Sequence, residues 1–282
     1  MKIIRSSQTL QKALETFRRK GKTIGFVPTM GFLHEGHLSL MRRARRECGA
    51  VVVSLFVNPL QFGPKEDLKK YPRNEKRDAR LCNSERVDLL FIPEGRELYG
   101  ADFQTTVSVG ELAEPLCGRS RPGHFRGVAT VVSKLFNIVK PKAAYFGQKD
   151  YQQCRVIEQM TKDLSYDIRI RILPIIREKD GLAMSSRNVY LKPEERAQAV
   201  GIYRALRTAA KAFRTGERNA GRLEKVLRSR LKTFAVLGGI DYAEIRDAVT
   251  LGKVSRVKNR AVAAVAVRIG KTRLIDNIIL GK

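Results

Sequence analysis

Residues 22–47 read KTIGFVPTMGFLHEGHLSLMRRARRE, and this stretch decides the fold that the sequence predicts. Residues 23–27 are apolar and β-favouring between a glycine and a proline, which predicts a buried strand. Residues 28–36 predict a loop, and residues 38–47 predict a helix with one apolar face and several arginines. The chain is therefore expected to pass from a strand through a loop into a helix.

Two of the three histidines, His34 and His37, lie where this loop meets the helix. Backbone N–H groups at a helix N-terminus bind phosphate, and neighbouring imidazoles can stabilise charge that develops during phosphoryl or nucleotidyl transfer. The H-x-G-H pattern alone fits two unrelated surface histidines as well. The strand–loop–helix context favours a nucleotide site, although neither G-x-G-x-x-G nor the P-loop pattern is present.

Composition predicts a globular protein of one large or two ordinary domains, because 43% of the 282 residues are apolar. No apolar run is long enough to cross a membrane, and the first residues lack the apolar stretch of a signal peptide. The cysteines (Cys48, Cys82, Cys117 and Cys154) are far apart, which predicts free thiols in a reducing compartment. We therefore expect a cytoplasmic protein.

The formal net charge of +27, from 55 basic and 28 acidic residues, makes nucleic acid the first partner to consider. The basic residues are dispersed, however, and the sequence has no basic tail, RNP-like motif or zinc-finger spacing. We interpret the charge as a basic surface that attracts polyanionic small substrates and binds RNA unspecifically at low salt. No specific nucleic-acid partner is expected.

Helices and strands alternate up to about residue 173, which predicts an α/β fold with a doubly wound parallel sheet. Further strands are predicted at residues 50–57, 88–92, 103–109, 142–146 and 168–173, and helices after Ser6 or Ser7 and at residues 74–82, 111–117, 128–139 and 151–162. After Pro193, helices at 194–215 and 220–233 and strands at 242–246, 261–267 and 273–278 predict a smaller α+β domain. The predicted domains are residues 1–175 and 176–282.

Polar residues follow the predicted strand at residues 50–57, where open α/β sheets place ligand contacts. Asn58 and Gln61 are explained equally by ligand binding and by turn chemistry. Residues 64–73 are charged and irregular and predict a mobile flap. The basic loop at residues 118–127 fits either an anion site or a solvated turn.

Two later junctions also carry candidate phosphate contacts. Lys149 fits a phosphate contact at a strand–helix junction, and Asp150 fits a ribose contact or a helix cap. Ser185, Ser186 and Arg187 fit a phosphate site or a serine turn with a surface arginine. The residues alone leave both alternatives open.

Six motifs occur in a fixed order between residues 23 and 191: PTMGFLHEGH, FVNPLQFG, YPR, RPGHFRGV, YFGQKDYQQ and DGLAMSSRN. Together they resemble the pantoate–β-alanine ligases (pantothenate synthetases), a family of the nucleotidylyltransferase superfamily. The resemblance implies a Rossmann-like N-terminal domain, a smaller C-terminal α+β lid domain and a cytoplasmic homodimer. It also implies that ATP and Mg²⁺ are used to join (R)-pantoate to β-alanine through an enzyme-bound pantoyl-adenylate, with release of AMP and pyrophosphate.

The resemblance also assigns site residues. The catalytic residues would be His34, His37, Lys149 and Arg187. The residues in contact with ATP would be Met30, Gly36, Gly147, Lys149, Asp150, Ile176, Met184, Ser185, Ser186 and Arg187, with Gly36, Gly147 and Asp150 at the ribose and Ile176 and Met184 near the adenine. The residues in contact with pantoate would be Gln61, Gln153 and Asn58, with Phe56 and Met30 on its apolar side.

Two positions depart from the family pattern. Gln148 stands where the family commonly has glutamate, and because the side chain keeps its size we expect activity to survive. Arg77 and Asp78 stand where many relatives have an acidic pair. Mg²⁺ keeps several waters and binds substrate phosphates, so no dedicated carboxylate cage is expected, and Asp78 is the one candidate for a direct metal contact.

Two other functions fit part of the sequence. Another adenylate-forming enzyme or nucleotidylyltransferase would use the same H-x-G-H loop, and Gln61 and Gln153 would then not serve pantoate. An RNA-binding protein would account for the net charge, and it would require a contiguous basic face.

Overall fold

The computed structural model describes residues 1–64, 66–233 and 237–281. The chain forms two compact units. The first consists of Met1–Ala113, Arg121–Gln148 and Gln153–Pro174, and the second of Glu114–Ser120, Lys149–Gln152 and Ile175–Lys282. The second unit thus includes two short segments that the predicted division after residue 175 did not assign to it.

Six strands form the parallel sheet of the first unit: β1 (Lys2–Ile4), β2 (Ile24–Thr29), β3 (Ala50–Leu55), β4 (Leu89–Phe91), β5 (Ala143–Gly147) and β6 (Arg169–Leu173). Their order across the sheet is β1-β4-β3-β2-β5-β6. The α-helices up to residue 163 are α1 (Ser7–Arg19), α2 (Glu35–Glu47), α3 (Glu75–Ser84), α4 (Gly95–Leu98), α5 (Cys117–Ser120), α6 (His124–Val139) and α7 (Tyr151–Asp163). The predicted α/β fold with a parallel sheet is confirmed.

The central strands of this sheet are buried on both faces. Every residue of β3 is buried, as expected for a continuous apolar run in a parallel sheet. Helix α2 places Leu38 and Met41 in one apolar cluster with Val51 and Val53 of β3. This packing places the N-terminus of α2 beside the carboxyl ends of the strands.

The boundaries around β2 differ from the predicted ones. Strand β2 runs through Pro28 to its end, and α2 begins three residues before the predicted helix, so the predicted loop at 28–36 is shorter. Proline is tolerated in β2 because the strand pairs with β5 only at Gly25 and Phe26, so its last residues have one neighbouring strand.

Two further predictions were wrong or incomplete, and one strand was missed. Residues 103–109 do not form a strand, and the N–H of Val107 donates to Oγ1 of Thr130 (2.9 Å) instead of to a sheet. The predicted helix at 111–117 is a 3₁₀ turn (Glu111–Ala113) followed by α5. Strand β1 was not predicted, because its three residues are too short to show a period.

The second unit contains β7 (Leu237–Asp247), β8 (Ala261–Ile269) and β9 (Thr272–Leu280) in an antiparallel sheet of that order. Its later helices are α8 (Pro193–Ala199), α9 (Gly201–Arg214) and α10 (Ala220–Leu231). Leu206, Leu223 and Leu227 share an apolar cluster with the inner face of the sheet. The α+β prediction is confirmed, except that the predicted helix at 194–215 is two helices that meet at Val200.

All four cysteines are buried thiols. Over the three described stretches of the chain, no helix combines the length and the apolar character needed to cross a bilayer.

Candidate active site

The two histidines lie at the N-terminus of α2, after the carboxyl end of β2. His34 is the N-cap residue, and its Nδ1 accepts a hydrogen bond from the N–H of Gly36 (3.2 Å). In return, Nδ1 of His37 accepts from the N–H of His34 (3.3 Å). The ring centroids are 4.1 Å apart. The arrangement is a capping box in which imidazoles stand in for the usual Ser and Glu side chains.

These two hydrogen bonds determine the tautomer of both rings. A ring nitrogen that accepts a hydrogen bond carries no proton, so each imidazole is neutral with its proton on Nε2. Each ring can therefore donate from Nε2 at the positive end of the helix dipole, which is the polarity that an anionic phosphate requires. Gly36 permits this packing, because an added Cβ would lie 2.8 Å from Cε1 of His34.

A buried carboxylate holds the loop that precedes His34. Asp78 on α3 is 2% exposed, and its oxygens accept from the N–H groups of Phe32 (2.7 Å) and Leu33 (2.8 Å). Arg77 donates to the carbonyl of Leu33 (2.8 Å). Burial raises the pKa of Asp78, while the two N–H donors and Arg77 oppose the rise. These contacts indicate a positioning role for Asp78 and give no support to the predicted metal contact.

Asn58 and Gln61 lie on a 3₁₀ turn that follows β3. Nδ2 of Asn58 donates to the carbonyl of Gly127 (3.0 Å) and to Oε1 of Gln61 (3.2 Å). Oδ1 accepts from the hydroxyl of Tyr99 (2.8 Å) and the N–H of Leu60 (3.2 Å). The buried amide thus has partners for both its donors and its acceptor, which favours a positioning role for Asn58 over the predicted pantoate contact.

Gln61 is held by its backbone as well as by its side chain. Its Nε2 lies 3.1 Å from Sδ of Met30, so two of the predicted site residues are in contact. Its carbonyl accepts from Nδ1 of His124 (2.8 Å) and from Arg121 (3.3 Å). Arg121 also lies 3.0 Å from Nε2 of His124; because arginine only donates, that nitrogen is the acceptor and Nδ1 carries the proton.

Arg121 connects this turn to the segment at residues 64–73, which was predicted to be a flap. It donates to both carboxylate oxygens of Glu66 (2.6 and 2.7 Å). Burial alone would raise the pKa of Glu66, but the Arg121 guanidinium lowers it below its usual value. Lys65 lies outside the described residues. At Arg121 and His124 the basic loop is not a solvated turn, because both side chains bind protein groups, and the anion site stays a prediction.

Helix α6 approaches the Gln61 turn so closely that only glycine fits at the contact. An added Cβ at Gly127 would lie 2.2 Å from the carbonyl oxygen of Leu60 and 2.6 Å from the nitrogen of Gln61. Both atoms are backbone, so the turn itself would have to move. The lack of a side chain at Gly127 therefore allows the Gln61 turn to take this position against α6.

Other predicted residues follow neighbouring strands of the same sheet. Phe56 is buried directly after β3, with its ring 6.0 Å from that of Tyr99. Gly147 ends β5, and an added Cβ there would meet nothing within 4 Å. Gln153 is half-buried on α7. Since β3, β2 and β5 are adjacent, these residues share the carboxyl edge of the sheet with the histidines, where such folds bind ligands.

In the second unit, the predicted adenine residues Ile176 and Met184 are neighbours, and the predicted phosphate residues 185–187 follow directly in the chain. The N–H of Met184 donates to the carbonyl of Ile176 (3.0 Å). Oγ of Ser185 accepts from the N–H of Arg187 (3.3 Å), which is the serine turn that the sequence left open. Ser186 is buried beside it.

Two neighbouring residues of β9, Asp276 and Asn277, bind the segments that contain Arg177 and Lys149. Arg177 donates to both carboxylate oxygens of Asp276 (2.7 and 2.9 Å), which is 3% exposed. Burial raises the pKa of Asp276, and the Arg177 guanidinium opposes the rise. Asn277 donates to the carbonyl of Lys149 (3.0 Å), whose Nζ lies 3.3 Å from Asp150. The backbone at Lys149 is thus positioned from within the second unit.

The sequence profile described as Pantoate-beta-alanine ligase matches residues 2–279. The chain belongs to the pantoate–β-alanine ligase family. It is 56% identical to the pantothenate synthetase of Thermotoga neapolitana over 281 residues, which is 100% of both chains. The family resemblance inferred from the six motifs is confirmed.

Solved structures of the family have the same fold. The pantothenate synthetase from Thermus thermophilus matches with a TM-score of 0.94 and 44% identity over 99% of each chain. A pantoate-beta-alanine ligase from Francisella tularensis, complexed with beta-gamma ATP and beta-alanine, matches with a TM-score of 0.82 and 35% identity, covering 99% of this chain and 97% of that one.

Three residues that shape the site were not predicted. Gly127 lies in the RPGHFRGV motif, which indicated that the residue could matter. The neighbouring sequence did not indicate its close approach to the backbone of Leu60 and Gln61. Tyr99 and Asn277 gave no signal, because their partners Asn58 and Lys149 are 41 and 128 residues away in the chain.

Replacing Asp78 by asparagine should separate loop positioning from metal binding. The amide nitrogen of Asp78→Asn cannot accept from Phe32 or Leu33, so we expect a loss of about 1–3 kcal/mol in the free energy of unfolding. Turnover should fall, and added Mg²⁺ should not restore it. Glu75→Gln, an exposed acid-to-amide change on the same helix, is the control and should behave like the wild type. Recovery of the Asp78 variant at high Mg²⁺ would instead assign Asp78 to the metal.

Gly127→Ala should displace Gln61 without touching its side chain. The added Cβ would overlap the Leu60 carbonyl, and such overpacking costs about 1–3 kcal/mol. In steady-state assays we expect the KM for pantoate to rise about tenfold or more, with a smaller change in the KM for ATP. Gly110→Ala, where an added Cβ meets nothing within 4 Å, is the matched control. An unchanged KM for pantoate in folded Gly127→Ala would contradict this role.

Proposed function

We propose that this chain catalyses the ATP-dependent condensation of (R)-pantoate with β-alanine, through an enzyme-bound pantoyl-adenylate, to give pantothenate, AMP and pyrophosphate. The observation that carries the proposal is the pair of histidines at the start of α2, whose Nδ1 atoms accept backbone hydrogen bonds, in a chain of the pantoate–β-alanine ligase family.

In the first step, a carboxylate oxygen of pantoate attacks the α-phosphorus of ATP, and the bond from that phosphorus to the pyrophosphate oxygen breaks. Positioned donors accelerate such a transfer because negative charge gathers on the phosphate oxygens, and no covalent intermediate with the protein is needed. His34 and His37 are assigned to donate from Nε2 to these oxygens. Their Nδ1 hydrogen bonds keep both rings oriented before the substrate arrives.

The remaining ATP contacts are assigned to residues of both units. Lys149 and Arg187 supply positive charge and Ser185 and Ser186 hydroxyl groups, a combination that suits phosphate oxygens. The further ATP contacts are assigned to Met30, Gly36, Gly147, Asp150, Ile176 and Met184. Two hydrogen bonds support this assignment, because they hold the backbone at Met184 and at Ser185 in place.

Pantoate is assigned to the Gln61 turn. The amides of Gln61 and Gln153 would bind its hydroxyl and carboxylate oxygens, and Phe56 and Met30 would face its gem-dimethyl group. Nε2 of Gln61 donates to the thioether of Met30, which is a weak acceptor, so a substrate oxygen would be a better partner. Asn58 is assigned to hold the turn.

In the second step, the neutral amine of β-alanine attacks the carbonyl carbon of the adenylate. The bond from that carbon to the AMP oxygen breaks, and the amine loses a proton. Exclusion of water protects the adenylate, and no nucleophile from the protein is required. The burial of all four thiols agrees with this.

Mg²⁺ is proposed to enter on the ATP phosphates and to neutralise part of their charge. The described parts of the chain hold no group of three or more His, Cys, Asp or Glu side chains that could bind a metal. The oxygens of Asp78 accept backbone N–H groups. The donors present therefore fit an ion carried by the substrate. A cytoplasmic homodimer, implied by the family resemblance, is also part of the proposal.

Exchange of labelled pyrophosphate into ATP, without β-alanine, tests the first step. We expect exchange that depends on pantoate, because the adenylate forms reversibly before the amine is needed. Exchange that depends on another carboxylate or on a phosphate ester would retain the superfamily and overturn the named reaction. No exchange by folded protein supplied with Mg²⁺ would overturn the adenylation step itself.

The role of His37 can be tested separately from its capping hydrogen bond. His37→Ala should lower the exchange rate about 10²–10³-fold, the usual loss for one transition-state donor. His37→Asn keeps an acceptor for the N–H of His34 but lacks the Nε2 donor, so it should fold like the wild type and remain slow. Turnover close to that of the wild type in either variant would refute the assigned role.

A further inference from the structure

Two neighbouring helices of the second unit carry a share of the net charge on their exposed faces. Residues 200–232, which we call the basic helix pair, contain ten basic and two acidic residues, a net charge of +8. These 33 residues thus carry close to a third of the net charge of +27. The pair consists of α9, α10 and their connection, all within the described residues.

Helix α9 places its basic residues in one exposed stripe. Arg204, Arg207, Lys211 and Arg214 are all exposed. At 3.6 residues per turn they fall within an arc of about 80°, and they extend about 15 Å along the helix. The opposite side of α9 is buried against the antiparallel sheet. The stripe is therefore the solvent face of a fixed helix.

Helix α10 repeats this arrangement beside it. Arg222, Lys225 and Lys232 are exposed and Arg228 is half-exposed, and together they occupy an arc of about 120°. Leu223, Leu227 and Leu231 are buried on the other side, in the same apolar cluster as the buried residues of α9. Because the two helices lie side by side on one sheet, their stripes form one surface.

The two acids of the pair do not neutralise this surface. Glu217 accepts from the N–H groups of Arg218 (2.9 Å) and Asn219 (2.7 Å), in the connection between the helices, and lies 3.6 Å from Arg222. Glu224 accepts from the N–H of Ile245 in β7 (2.8 Å). Both carboxylates thus serve backbone groups of the fold, and the outer face is cationic.

We propose that the basic helix pair binds the phosphate backbone of single-stranded RNA, independently of base sequence and of the ligase reaction. Seven of its ten cations are arginines, whose planar donors match phosphate oxygens. The aromatic rings of Tyr203 and Phe213 are covered by Arg177 (3.6 Å) and Arg218 (4.1 Å), so RNA bases are not expected to stack on them. RNA is favoured over a membrane because the outer stripes present Arg, Lys, Thr and Ser and no large apolar side chain for insertion.

Fluorescence anisotropy with a labelled RNA of about 20 nucleotides, at about 50 to 200 mM salt, tests the proposal. If the RNA contacts the four cations of the α9 stripe, the slope of log K against log salt is about −3. Neutralising Arg207, Lys211 and Arg214 by glutamine should weaken binding at least about tenfold at about 100 mM salt and reduce the slope by about 2. Lys12 and Arg19 on α1 and its C-cap residue Lys20 are also exposed; changed to glutamine together, they lose the same charge and should change the affinity less than about twofold.

Other outcomes would overturn the proposal. An equal loss in both triple variants would mean that overall charge, and not this face, binds RNA. The proposal would also be overturned if the wild type did not bind RNA at about 50 mM salt, or if it bound vesicles of anionic phospholipid more tightly than RNA. Pantothenate synthesis should be unchanged in both variants, which verifies that they fold and that the two activities are separate.

Discussion

The reciprocal hydrogen bonds at the start of α2 are the constraint on which the candidate site depends. A helix N-terminus leaves backbone N–H groups without partners, and here Nδ1 of each imidazole supplies one. The same bonds place the proton of each ring on Nε2. Orientation and tautomer are thus set by the helix, and the helix is set by the packing of Leu38 and Met41 in the apolar cluster with β3. The site is built from the apolar core outward.

Buried polar groups then fix the loops that apolar packing leaves undetermined. Asp78 holds the loop before His34, Asn58 holds the Gln61 turn, and Asp276 binds Arg177 beside Ile176. A buried polar group is costly unless its partners are all in place, so each of these positions admits few alternative loop conformations. Buried polar groups therefore determine the loop positions at the candidate site.

The many basic residues divide by their surroundings. Arg77, Arg121 and Arg177 each bind carbonyl or carboxylate groups inside the fold, where they determine loop positions. The stripes of the basic helix pair, in contrast, lie on its solvent face. Both sets look alike in the sequence, because an arginine's role depends on which groups the fold brings within reach of its long side chain.

The sequence by itself determined the α/β class, the smaller α+β region, the strand–helix junction at His34 and His37, and the family. Apolar periodicity and motifs are local properties, so they can be detected without knowledge of long-range contacts. Only the tertiary structure decided that residues 103–109 are not a strand, that Asn58 and Asp78 hold loops, and that Gly127 sets the position of Gln61. Each of these depends on a hydrogen bond or a close approach between segments far apart in the chain, and such distances are fixed only when the core packs.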